Sequence, residues 1–183
     1  KDIFSKENKI QKYYLNLLNE YKFSSNILTD KSIQNFLWVG FIKIFFPNSK
    51  IIITDRNPRD VCLSIFKINF KNGFMNFAYN ENEIANFYNN YTDLINFWKN
   101  LFKDDIFINN YENLTNNPEV QIKNLIDFCG LTWDPNCLRH HKNKSVIKTA
   151  SINQARKPIY QTSKNISNNY STHLEKMYSL LKY

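Results

Sequence analysis

The sequence predicts an α/β domain in which helices flank a parallel sheet. Two apolar segments rich in β-branched residues, 50–55 (KIIITD) and 105–111 (DIFINNY), are separated by amphipathic segments. Strands that alternate with helices favour parallel pairing, because the intervening helix crosses over the sheet. The chain has 183 residues and 43% hydrophobic content, which is sufficient for one such domain with a core of its own.

The first part of the chain predicts a helix, a short strand and a second helix. Apolar residues recur at helical spacing over residues 8–21, and a short strand is expected to end near Asp30. The apolar run at 32–46, which Pro47 follows, predicts a buried helix. The segment 50–55 shows no alternation of polar and apolar residues, which is typical of a central strand covered on both faces.

The helix after this strand has a well-marked beginning. Asn57 suits the N-cap, Pro58 suits the first helical position, and Asp60 suits the acidic third position. We expect this helix to extend to about Phe70.

The second half predicts three more helices. Residues 83–102 form a long amphipathic pattern, and a helix beginning at Pro118 is expected to end with Gly130 at the C′ position. Residues 134–169 are polar, basic and irregular, and a final helix is expected at 171–181.

Composition narrows the class of partner without choosing one. The net charge of +8 favours an anionic partner such as nucleic acid, anionic lipid or a phosphorylated nucleotide. Three cysteines without a CxxC spacing predict neither a disulfide framework nor a zinc site. The sequence contains no run of about 18 apolar residues, so it predicts no membrane span. No signal sequence is recognisable either, so a cytoplasmic location is expected.

The segment 54–64 (TDRNPRDVCLS) is the strongest candidate for a binding site. Its strand would deliver Arg56 to the carboxyl edge of the sheet, where α/β proteins bind ligands. Arg59 adds a second guanidinium for bidentate pairing with phosphate, and Ser64 adds a hydroxyl. Free N–H groups at the beginning of the helix would also face the anion. The alternative is a plain helix cap, with Arg56 paired to a neighbouring aspartate.

Three segments together resemble PAPS-dependent sulfotransferases, where PAPS is 3′-phosphoadenosine-5′-phosphosulfate. They are residues 29–64, residues 109–135 (NNYENLTNNPEVQIKNLIDFCGLTWDP) and residues 148–163 (KTASINQARKPIYQTS). The resemblance is to the bacterial type often found behind tetratricopeptide repeats and, more distantly, to tyrosylprotein sulfotransferases. It implies a P-loop-like sulfotransferase fold, PAPS as co-substrate and no metal.

The resemblance also implies roles for individual residues. Arg56 and Ser64 have the spacing of the residues that bind the 3′-phosphate, and Tyr111 takes the position of a tyrosine that lies against the adenine. Arg156 and Lys157 fall in the basic loop, within 134–169, that closes over the nucleotide. For Tyr111 alone, a core position would be the simpler interpretation.

Lys31, Thr149 and Ser151 are implied near the transferred sulfuryl group. A cation at Lys31 would stabilise charge on the sulfuryl oxygens as the bond breaks. The alternative for Lys31 is an exposed lysine in a lysine-rich chain, and for the other two a solvated loop.

The amino-terminal phosphosulfate loop of the family has no counterpart in this sequence. That loop is of the “PRSGTT” kind, whereas the first glycine here is Gly40. We therefore expect residues 1–183 to be a single, partial sulfotransferase domain that lacks the amino-terminal strand and this loop. The acceptor is open and could be a protein, a small molecule or a saccharide. Alternatives are a PAP- or PAPS-binding domain without catalysis, and a basic nucleic-acid-binding domain, for which no recognised module is present.

Overall fold

The computed structural model describes residues 3–20, 27–70, 73–143 and 156–182. Within these ranges the helices and strands are α1 (Ile3–Asn19), α2 (Asn35–Phe45), β1 (Ile51–Asp55), α3 (Pro58–Phe66), α4 (Glu81–Leu101), β2 (Ile106–Asn110), α5 (Tyr111–Asn116), α6 (Pro118–Phe128) and α7 (Glu175–Ser179). Short 3₁₀ segments occur at Gly73–Tyr79, Lys103–Asp105, Pro135–Lys142 and Ile166–Tyr170.

The two strands pair in parallel, which confirms the predicted α/β class with a parallel sheet flanked by helices. The register runs from Ile51 opposite Ile106 to Asp55 opposite Asn110. The chain crosses from β1 to β2 through α3 and the long helix α4. Because the register ends at Asp55 and Asn110, the next residue on each side leaves the sheet at the same edge.

Strand β1 is covered less completely than its sequence predicts. Ile53 is buried, whereas Ile52 is 42% exposed. Alternate side chains therefore face solvent, and the prediction of a strand covered on both faces is wrong.

The beginning of α3 and the end of α6 follow from local chemistry, whereas α3 ends at Phe66 and not near Phe70. Asn57 caps α3, and Pro58 occupies its first turn, as expected. Helix α6 ends with Gly130 at φ +67°, a left-handed conformation that favours glycine. The N–H of Leu131 donates to Ile126 O and that of Gly130 to Asp127 O, at 3.1 and 2.8 Å, which is the Schellman pattern.

The main core lies among α3, α4 and α7. Its buried side chains are Cys62, Leu63, Ile84, Ala85, Tyr88, Leu174, Met177, Tyr178 and Leu181. A buried amide holds the end of the chain on this core. Asn89 Nδ2 donates to Leu180 O at 2.8 Å, and Asn89 Oδ1 accepts from the N–H of Lys182 at 2.9 Å. Helix α7 is shorter than the predicted helix at 171–181.

Helix α2 corrects the prediction of a buried helix. Val39 and Lys43 are its buried residues, whereas Trp38 is 53% and Phe41 55% exposed. The sequence is apolar on all sides of this helix, but the described neighbours α1 and α4 cover only part of it. On the covered side Gly40 allows a close approach, because a Cβ there would lie 2.9 Å from Trp98 Cη2.

The strand expected to end near Asp30 is not formed in residues 27–30, and residues 23–26 lie outside the described ranges. Residues 27–30 are exposed and have no regular secondary structure. Asp30 instead accepts hydrogen bonds from the Tyr14 hydroxyl at 2.8 Å and from Asn35 Nδ2 at 3.2 Å, which join α1 to the beginning of α2.

The described ranges contain no helix that is both long and apolar enough to cross a membrane. The three cysteines are free thiols, with Cys62 buried and Cys129 and Cys137 half-buried.

Candidate functional site

Arg56 leaves the sheet directly after β1 and lies against Tyr111, which leaves it directly after β2. The Arg56 guanidinium carbon is 4.8 Å from the centre of the Tyr111 ring. Its Nη2 approaches Asp60 Oδ2 at 3.5 Å and donates to Ser163 O. Its Nε is buried and has no hydrogen-bond partner among the described residues. Buried donors are normally satisfied, so this unpartnered N–H makes the edge of the sheet a candidate for ligand binding.

A pocket opens beside the Tyr111 ring. Its volume is about 250 Å³, and it is lined by Tyr111, Leu114, Thr115, His140, Lys157, Pro158, Ile159 and Tyr160. The residues after 156 make polar contacts with α5 and with the 3₁₀ segment Pro135–Lys142. Gln161 Nε2 donates to Thr115 O at 2.9 Å and Lys164 Nζ donates to Asn116 Oδ1, whereas His140 Nε2 lies 3.1 Å from Lys157 O. The pocket therefore has one wall from α5 and one from the carboxyl-terminal segment.

The beginning of α3 does not offer free N–H groups, so this part of the sequence interpretation is wrong. Pro58 has no N–H, and Asn57 Oδ1 accepts from the N–H groups of Arg59 at 2.9 Å and Asp60 at 3.3 Å. The N–H of Asn57 itself donates to Glu112 Oε1 at 3.0 Å. At the beginning of α3, a ligand would therefore meet side chains and not free N–H groups.

Asp60 ties the carboxyl-terminal segment to α3. This buried carboxylate accepts from the N–H groups of Asn165 at 2.8 Å and Ser167 at 2.9 Å. Burial alone would raise the pKa of Asp60, but the hydrogen bonds from Ser167 and Asn165 and the charge of Arg56 outweigh it and lower that pKa below its usual range. Asn165 has φ 55°, a left-handed conformation in which asparagine is enriched. The sequence shows Asp60 only as a helix-capping acid, because a contact over 105 positions leaves no local pattern.

The other predicted site residues of this segment lie in different surroundings. Arg59 lies over the Tyr178 ring at 5.3 Å, on the side of the main core. Ser64 is exposed about two turns beyond the N-cap. Among Arg56, Arg59 and Ser64, Arg56 is the residue whose side chain lies against Tyr111.

One of the two predicted basic residues of the carboxyl-terminal segment lines the pocket. Lys157 is exposed and lines it, and Arg156 is half-buried beside Lys157 in sequence. Lys31 is exposed ahead of α2 and does not line this pocket. Thr149 and Ser151 lie outside the described residues.

Two residues of the site were missed by sequence reasoning. Glu112 contacts the beginning of α3, and His140 lines the pocket. Glu112 stands next to Tyr111 in sequence, so the pairing of the two strands would have placed it near Asn57. In the parts of the chain that the structure describes, no cluster of three or more metal-ligating side chains occurs.

Comparison with known proteins bears on what this edge of the sheet does. Residues 1–135 match the model of a group described as the sulfotransferase family. An “Uncharacterized protein” of Aquifex aeolicus (strain VF5) is 36% identical over 172 residues, which are 93% of this chain and 23% of that protein. The chain thus spans less than a quarter of that relative's length. Arg56, Ser64 and Tyr111 fall inside the range matched by the family model, and Arg156 and Lys157 fall beyond it.

Proposed function

The chain belongs to the sulfotransferase family, and on this premise we propose that it binds PAPS at the Arg56–Tyr111 edge of a P-loop-like domain and serves sulfuryl transfer to a hydroxyl or amine acceptor. The observation that carries the proposal is the stacking of the Arg56 guanidinium on the Tyr111 ring, with the Nε donor left buried and unpartnered among the described residues. A planar cation beside an aromatic ring suits a ligand that combines a phosphate with a purine.

The residues at this edge fit the nucleotide in distinct ways. Arg56 and Ser64 are proposed to bind the 3′-phosphate, with Arg56 exchanging its contact to Ser163 O for a stronger, charge-assisted one. The Tyr111 ring is proposed to lie against the adenine in the 250 Å³ pocket. Lys157, which lines that pocket, and Arg156 beside it would add positive charge over the phosphates.

The proposed reaction is an in-line displacement at sulfur. The acceptor oxygen or nitrogen forms a bond to sulfur as the bond from sulfur to the 5′-phosphate oxygen breaks. The electron pair leaves with that phosphate, giving PAP, and the acceptor proton passes to a base. Lys31 is proposed to stabilise the negative charge that develops on the oxygens around sulfur.

Titration calorimetry of this chain with PAP, with AMP as the control ligand, tests the proposed binding. We expect PAP to bind more tightly than AMP, because only PAP carries a 3′-phosphate. Arg56→Ala should reduce PAP affinity by about tenfold to a hundredfold, the usual effect of losing a hydrogen bond between charged groups. Lys123→Ala is the matched control, since Lys123 pairs with Glu119 on the exposed side of α6.

Two outcomes would contradict parts of the proposal. Equal affinity of the folded chain for PAP and AMP would exclude a 3′-phosphate site at Arg56. Firm PAP binding, with no transfer of radiolabelled sulfate from PAPS to any acceptor by the complete protein, would instead indicate a domain that binds the nucleotide without catalysis.

A further inference from the structure

The carboxylate of Glu112 continues the pairing of β1 and β2 beyond the last residues of the sheet. The ladder ends with Asp55 opposite Asn110, whose side chains meet through Asn110 Nδ2 and Asp55 Oδ2 at 3.4 Å. The next two residues on each side keep this correspondence: Arg56 stacks on Tyr111, and the N–H of Asn57 donates to Glu112 Oε1. Three successive cross-strand pairs therefore make contact.

From this geometry we infer that Glu112 is a positioning residue for the nucleotide site, and the inference rests on the proposed function. The N–H of Asn57 would have no partner strand once the chain turns into α3, and Glu112 supplies an acceptor in place of a backbone carbonyl. This bond fixes the backbone on the carboxyl side of Arg56 relative to α5. Tyr111, the first residue of α5, is thereby held under the guanidinium.

The position of the carboxylate argues for a geometric role rather than contact with the ligand. The negative charge of Glu112 repels the phosphates of a nucleotide and so disfavours binding. Glu112 can favour binding only if its hydrogen bond to Asn57 stabilises the site by more than this repulsion costs. The bond is half-buried, which makes its loss costly, because the Asn57 N–H would be left without a partner. An uncharged acceptor of the same shape should serve the geometry equally well.

The test compares Glu112→Ala and Glu112→Gln, with Glu119→Ala as the control on the exposed face of α6. Glutamine keeps an acceptor oxygen at the same place and removes the charge. We expect Glu112→Ala to weaken PAP binding by about tenfold and to reduce the preference for PAP over AMP, while Glu112→Gln and Glu119→Ala stay within about threefold of the unmodified chain. Equal losses in the alanine and glutamine variants, or no loss in the alanine variant, would overturn the inference.

Amide hydrogen exchange measured by NMR provides a readout that does not depend on nucleotide. The Asn57 N–H should exchange slowly in the unmodified chain and in Glu112→Gln, and quickly in Glu112→Ala. A fast-exchanging Asn57 amide in the unmodified, folded chain would overturn the positioning role, even if Glu112→Ala does not fold. If PAP fails to bind the unmodified chain but the exchange pattern holds, the proposed function fails and the coupling of the two strand ends stands.

Discussion

The two strand ends of this domain use the same local structure to place different chemistry. Each strand leads into a helix that an asparagine caps: Asn57 follows β1, and Asn110 ends β2. The β1–α3 junction contributes a guanidinium from Arg56. The β2–α5 junction contributes an aromatic ring from Tyr111 and a carboxylate from Glu112.

The difference teaches that neither junction is a binding site by itself. A guanidinium alone would pair with the nearest carboxylate, and Arg56 does approach Asp60 in this way. A tyrosine alone would be an ordinary half-buried ring. The parallel register places the two residues side by side, so the site depends on how the strands pair as much as on the identity of its residues. A shift of register by one residue would turn every side chain of a strand to the other face.

The largest difference between the junctions should appear when their buried polar groups are removed. Asp60→Ala leaves the N–H groups of Asn165 and Ser167 unpaired, and we expect it to lower the free energy of unfolding by about 3 kcal/mol. Thr115→Val is the counterpart at the other junction, where the Thr115 hydroxyl bonds within its own helix. We expect Thr115→Val to lower the free energy of unfolding by about 1 kcal/mol. Urea denaturation measures both, and equal costs would show that Asp60 does not hold the carboxyl-terminal segment.

Acid should weaken the β1–α3 junction selectively. The folded-state pKa of Asp60 lies below its ordinary value of 3.8, so its contribution to stability is complete above that pH. The contribution declines as the pH falls from 3.8 toward the lower folded-state pKa. We expect the stability difference between the unmodified chain and Asp60→Asn to shrink over that range. A difference that stays constant with pH would contradict this account of the Asp60 carboxylate.

The two capping asparagines should differ by a smaller amount. Asn57 accepts two backbone N–H groups, from Arg59 and Asp60, whereas Asn110 accepts one, from Asn113. Asn57→Ala should therefore cost about 1.5 kcal/mol of unfolding free energy and Asn110→Ala about 0.7 kcal/mol. Thermal unfolding of the two variants gives the comparison. A larger cost at Asn110 would reverse the ranking.

Much of the local structure was predictable because the signals are local. The cap at Asn57 and the end of α6 at Gly130 follow from residues within one helical turn. Which side chains of α2 and β1 are buried was not predictable. Apolar residues indicate that a segment can be buried, but they do not indicate which of its faces packs against a neighbour. Trp38 and Phe41 on α2 and Ile52 on β1 are exposed for this reason.

The site residues also fall into those that the sequence predicts and those that only the fold identifies. Arg56 was identified from its place after an apolar strand, and Tyr111 from a resemblance to a known family. The roles of Asp60 and Glu112 depend on contacts that span 105 and 55 positions. Such contacts leave no periodic or motif signal in a single sequence, and only the fold brings them together.

The central claim, that the two strand ends form one nucleotide site, is tested most directly by a double-mutant cycle on PAP binding. Arg56→Lys keeps the positive charge but removes the planar group that stacks on the ring, and Tyr111→Leu removes the ring. Calorimetry on the unmodified chain, each single variant and the double variant gives the coupling free energy. We predict about 1 kcal/mol of favourable coupling between the two side chains. Effects that add to within about 0.3 kcal/mol would contradict the claim, because the two residues would then act on PAP independently.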